Sequence, residues 1–120
     1  GNRMSEYYHE PVEDLDEKTR NYTRALNSIK EEIDAIDWYN QRVVASKDPE
    51  LKKVMAHNRD EEIEHAVMTL EWVRRNFPEW NDAMKTYLFT EKPITEIEED
   101  EDADDDTSES GDLGIGSLKK

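Results

Sequence analysis

The sequence predicts an all-α protein built on an antiparallel two-helix hairpin, and three observations predict it. Apolar residues recur at alternating steps of four and three through two long stretches, the spacing of helices packed side by side. Only a few residues around Lys47 separate those stretches, which leaves the second helix no course but back along the first. Prolines and acids stand where helix starts and stops require them.

The first helix is expected from Val12 to Ser46. Pro11 suits an opening, and Glu13, Asp14, Asp16 and Glu17 complement the positive end of the helix dipole. Its seam is Tyr22, Leu26, Ile29, Ile33, Ile36, Asn40 and Val43. Asp48-Pro49 then reads as an N-cap followed by the first helical position. The second helix is expected to run to about Asn76, before Pro78, with the seam Leu51, Met55, Asn58, Glu62, His65, Thr69 and Trp72. A short third helix over Glu79–Leu88 carries Trp80, Met84, Tyr87 and Leu88. A lone hairpin has apolar stripes and only itself to cover them, so at least a four-helix bundle is expected, by the ordinary route of a two-fold dimer.

Composition divides the 120 residues into three regions, a helical domain over 1–95, an acidic linker over 96–110 and a short apolar tail over 111–120. From Glu96 to Asp112 there are eleven acids and no base, against a net charge of −15 for the whole chain. Such a stretch lacks the apolar content to fold and reads as an extended, self-repelling tether. The acidic balance excludes a nucleic-acid binder, which needs clustered bases, and no apolar run approaches the roughly 20 residues that span a bilayer. The absence of Cys removes disulfides, thiolate zinc sites and rubredoxin-type iron together, and fits a cytoplasmic protein. Met4 reads as the natural start, preceded by Gly1–Arg3.

The chemistry lies in a conflict inside the second seam, where Asn58, Glu62 and His65 occupy positions that apolar residues would fill best. An unpartnered buried carboxylate costs several kcal/mol, on the order of a broken buried ion pair, and a cation would neutralise it. Glu62 and His65 are three residues apart and fall about 60° apart on a helical wheel, so one metal ion can reach both. On the first helix Glu32 flanks the seam, and Tyr39 shares its side seven residues on. The midpoint between residues 32 and 62 is residue 47, inside the turn, so Glu32 and Glu62 are expected at one level across the hairpin. One chain thus offers a Glu from one helix and Glu-x-x-His from the other. Ferritin-like di-iron bundles use that set twice, and oxygen and nitrogen donors without sulfur favour iron. The rival at this level is a buried Glu62–His65 pair that fixes dimer register. Glu31, Asp34 and Trp38 cluster on the far face of the first helix, either as a solvated acidic face or as a weak cation site. His9 and His57 lie off the seams, and Met55 reads as core.

The stretches EEIDAIDWYNQRV (31–43), HNRDEEIEHAVMTLEWVRR (57–75) and TYLFTEKPI (86–94) resemble encapsulated ferritins, the ferritin-like cargo proteins of encapsulin nanocompartments. The tail GDLGIGSLKK (111–120) is similar to an encapsulin-targeting peptide, with Leu113, Ile115 and Leu118 as apolar anchors that could dock extended on a partner. The resemblance implies a ferroxidase oxidising Fe²⁺ to Fe³⁺ with dioxygen as acceptor. Its di-iron centre forms only at the dimer interface, and dimers assemble into an open decameric ring that delivers iron for storage inside the encapsulin shell. It implies Glu32, Glu62 and His65 as iron ligands with Tyr39 beside them, and Glu31, Asp34 and Trp38 as the region of metal uptake, holding Ca²⁺ or another divalent cation. Asp34 departs from the Glu that the family carries there, and its shorter arm implies a weaker or shifted uptake site. Two rivals stand beside the ferroxidase: a cargo adaptor that sequesters metal without redox chemistry, and a rubrerythrin-like peroxidase, which the absence of Cys disfavours.

Overall fold

The structure is a computed structural model that describes residues 7–107, with the backbone alone for 104–107; the targeting-like peptide 111–120 lies outside the described residues. Four α-helices and one 3₁₀ turn make up the secondary structure of the described residues. The chain divides into two compact units between Val73 and Arg74.

A 3₁₀ turn over Val12–Asp14 precedes α1, Glu17–Ala45. The long helix expected from Val12 is therefore broken at its start. Leu15 and Asp16 are extended, and the Asp16 carboxylate accepts a 2.8 Å hydrogen bond from the Thr19 amide. That cap satisfies one orphan donor of the first turn and fixes the helix start there. The Arg20 guanidinium donates to the Val12 carbonyl at 2.6 Å and ties the turn to the helix.

Ser46–Asp48 connects α1 to α2, Pro49–Asn76. Asp48 is the N-cap: its Oδ1 accepts from the amides of Glu50 at 2.9 Å and Leu51 at 3.3 Å. The first intrahelical bond, from Lys52 N–H, reaches the Asp48 carbonyl. The helices run antiparallel. Asn40 meets Arg59, Glu32 meets Glu62 and His65, and Asn21 and Ala25 share a groove with Met68, Thr69 and Trp72, so residue numbers rise on one helix as they fall on the other.

Extended Phe77 ends α2, and α3, Pro78–Tyr87, opens with Pro at its first turn. Beyond it Phe89 takes φ 60°, the left-handed region that costs a bulky residue steric strain, and its ring is fully exposed. A fourth helix, α4, follows over Ile94–Thr107 and touches α3. This corrects the reading of residues 96–110 as an extended tether, at least as far as 107. Pro93 pre-sets the chain just before the helix, and its carbonyl accepts from the amides of Glu96 and Ile97. Glu96 stands in the positive first turn, Ile97 buries itself, and Lys92 pairs with Asp100. A local start signal and one apolar anchor thus offset the acid repulsion.

Burial is sparse. Among the described residues Ala25, Val73 and Ile97 alone form the buried apolar set, whereas Leu26, Ile33, Leu51, Ile63, Val67, Met68 and Trp72 of α1 and α2 remain exposed. Each of these side chains, still partly in water, forgoes part of the roughly 1.5–3 kcal/mol that full burial contributes. No helix among the described residues is long and apolar enough to cross a membrane.

Candidate metal site

The hairpin brings three of the residues singled out from sequence to one point. Glu32 projects from the middle of α1, and Glu62 and His65 project one turn apart from α2. One ligand atom from each lies within 4.8 Å of the others. His65 Nδ1 stands 3.4 Å from Glu62 Oε1. Glu32 and Glu62 are partly buried and His65 is half exposed, so the cluster opens to the surface on its imidazole side.

Electrostatics mark Glu32 as the misfit. Its Oε1 is buried without a hydrogen-bond partner. Burial, followed by the charge of Glu62, pushes its carboxyl above the usual carboxylate range; His65 opposes this and Glu31 adds to it. An orphaned carboxylate oxygen held beside a second carboxylate and an imidazole is a donor set short of a cation. The residues present fit a metal ion of the kind that oxygen and nitrogen donors hold without sulfur.

The other residues predicted from sequence fall nearby or apart. Tyr39 is half-buried on α1, with the Arg42 guanidinium 5.3 Å from its ring centre. Glu31, Asp34 and Trp38 are exposed and do not join the cluster of three candidate ligands found among the described residues. Glu31 accepts a 2.7 Å hydrogen bond from the Tyr7 hydroxyl, a contact with no sequence signal. Sequence reasoning also missed the strut beside the site, where Arg59 Nη1 donates to Asn40 Oδ1 at 2.9 Å. Asn40, a polar residue in an apolar seam, was its one visible trace.

An all-helical chain with a carboxylate–imidazole cluster inside an antiparallel hairpin is a ferritin-like helical protein. The EncFtn-like family matches residues 7–91. A "Ferritin-like protein" of Thermotoga maritima is 57% identical over 115 residues, covering 96% of this chain and all of that protein. An "Encapsulated ferritin-like protein" of Rhodospirillum rubrum is 54% identical over 121 residues, covering 92% of this chain and 86% of that protein. A crystal structure of a Nitrosomonas europaea protein superposes with a TM-score of 0.71 at 56% identity, covering 72% of this chain and 96% of that one. The chain belongs to the EncFtn-like family of encapsulated ferritin-like proteins, which makes an iron-related, ferritin-like role its coarse functional assignment.

Proposed function

We propose that the chain is a ferroxidase, oxidising Fe²⁺ to Fe³⁺ at a di-iron centre that two copies complete across a two-fold interface. One observation carries the reading: Glu32, Glu62 and His65 converge within 4.8 Å, half of a ferritin-like donor set, while a Glu32 oxygen is left orphaned. The exposed apolar side chains of α1 and α2 support association of the hairpin with a second copy. Paired hairpins would supply four carboxylates and two imidazoles.

Iron is the substrate here, and each residue has a definite part. Glu32 and Glu62 bring negative oxygens, which favour the more highly charged ferric product. Neutral His65 anchors an ion without adding to that charge, and its exposed side gives the ion a way in. Tyr39, about two turns along α1 from Glu32, would border the completed centre. Two adjacent one-electron oxidations match a two-electron reduction of dioxygen, which a single ferrous ion cannot supply. Glu31, Asp34 and Trp38 would gather divalent cations weakly on the outer face of α1, and Asp34 sets that site's reach. The printed name of the R. rubrum relative supports a place inside an encapsulin shell; in this reading that shell is cytoplasmic, residues 111–120 are the docking peptide, and a decameric ring is the assembled form. Oxidised iron would then pass to the shell for storage.

Aerobic Fe²⁺ oxidation by the full chain, followed by ferric absorbance and oxygen uptake, tests the reading. Glu62→Ala, Glu32→Ala and His65→Ala should each lower the rate at least 10-fold, in line with losing a group that stabilises developing charge. Full activity in Glu62→Ala would refute the site, and Zn²⁺ retention without Fe²⁺-dependent oxygen uptake by the wild-type chain would favour a metal-sequestering adaptor instead.

A further inference from the structure

Outside the donor cluster, a long-range polar contact joins α1 to α2 on its turn side. Arg59 Nη1 donates to Asn40 Oδ1 at 2.9 Å, and Arg59 Nε is 3.1 Å from Asp60 Oδ1. The Arg59 side chain is about three-quarters buried, at 27% exposure, although it carries a full charge. Asn40 occupies a seam position where an aliphatic residue would pack better.

The geometry of the contact is diagonal. Arg59 precedes Glu62 by three residues, about 4.5 Å of rise towards the turn, while Asn40 follows Glu32 by eight, about 12 Å in the same direction. The Arg59 side chain therefore reaches roughly 7.5 Å along the hairpin axis, at 1.5 Å of rise per residue. Side chains on a helix lean towards its N-terminus, and for α2 that end is the turn. Arg59 thus reaches Asn40 along its natural direction. Heptad-spaced apolar contacts can re-form after one helix slides past the other, because the seam repeats. A diagonal hydrogen bond between single residues cannot. Sliding α1 by one turn, about 5.4 Å, would break the strut and carry Glu32 out of reach of Glu62 and His65 together.

We propose that Arg59 and Asn40 form a register strut that positions Glu32 against Glu62 and His65, so that each half-site is assembled before metal arrives. The inference rests on the half-site reading above. Arg59 and Asn40 are positioning residues and touch no metal themselves. The strut also accounts for a partly buried charge and a polar, exposed seam residue that the donor set leaves unused. Polar groups that hold metal ligands in place change affinity by roughly 10–100-fold when lost.

The test uses the full-length chain and Zn²⁺, a redox-silent probe, in isothermal titration calorimetry. Arg59→Met and Asn40→Ala should each weaken Zn²⁺ binding about 10-fold. The double variant should be no weaker than either alone, because both changes remove one interaction. Asn40→Asp, which keeps the acceptor, should retain near wild-type affinity. The visible spectrum of bound Co²⁺, which reports coordination geometry, should change in Arg59→Met. It should not change in Asp48→Ala, which weakens the fold at the turn without touching the strut. Unaltered Zn²⁺ affinity in both single variants, or additive losses in the double, would overturn the strut. Glu62→Ala separates the two claims: if it loses Zn²⁺ while Arg59→Met keeps it, the strut alone fails. If Glu62→Ala binds as wild type does, the half-site and the strut fall together.

Discussion

Glu32 concentrates the tension in this molecule. Its carboxyl is held above the ordinary 4.5, first by burial and then by the charge of Glu62. A folded-state value raised above the unfolded one means that the fold prefers protonated Glu32. The contribution is fully present below pH 4.5 and is lost as pH rises through the raised value. At neutral pH the metal-free chain therefore bears the cost of a charged Glu32. Glu32→Gln should raise the Tm of metal-free protein at pH 7, because the neutral amide avoids that cost. The gain should shrink as pH falls towards 4.5. With metal bound the order should reverse, because the wild-type carboxylate then gains a cation. Thermal melts of both proteins at pH 4.5 and 7, with chelator and with Zn²⁺, check the sign. The Glu32, Glu62 and His65 cluster was legible in the sequence because two independent patterns, seam position and distance from the turn, led to the same residues. The Arg59–Asn40 contact was not. A seam records which residues face a partner, and cannot show a long side chain reaching more than a turn along it.

At the scale of elements, local signals told more than periodicity. The bounds of α2 follow from Asp48-Pro49 and Pro78, and Pro49–Asn76 is the helix observed. The α1 start was missed because a run of acids after Pro11 looks like one continuous first turn. The Asp16 side chain, bonded to Thr19 N–H, ends that run. α4 is hidden for the opposite reason: eleven acids without a base point to an extended chain, whereas the start at Pro93 and the anchor Ile97 are purely local signals. The turn between α1 and α2 reverses the chain, and Asp48 caps two amides of α2 there. Asp48→Ala should destabilise the protein by about 1 kcal/mol. Urea unfolding should show a lower midpoint at unchanged slope, since the surface exposed on unfolding is the same.

The whole molecule is unfinished as a single chain. Large apolar side chains along α1 and α2 remain in water, and the metal-ligating cluster opens at the half-exposed His65. The proposed second hairpin, laid on the first, would cover both and bring its own Glu32, Glu62 and His65. The chain's charge of −15 lies mostly in the stretch from Glu96 to Asp112, so the helical body itself faces little general repulsion on pairing. Fold class and family were legible in the sequence, because seams and motifs occupy nearly the whole body; pairing of two hairpins is the proposal that its poverty of apolar area motivates. The most direct test is anomalous scattering at the iron edge from crystals of Fe²⁺-loaded protein. Two iron peaks between the Glu32, Glu62 and His65 sets of paired protomers are predicted. A paired interface with no anomalous signal there, and with Glu62 bonded only to a neighbouring side chain, would contradict the account.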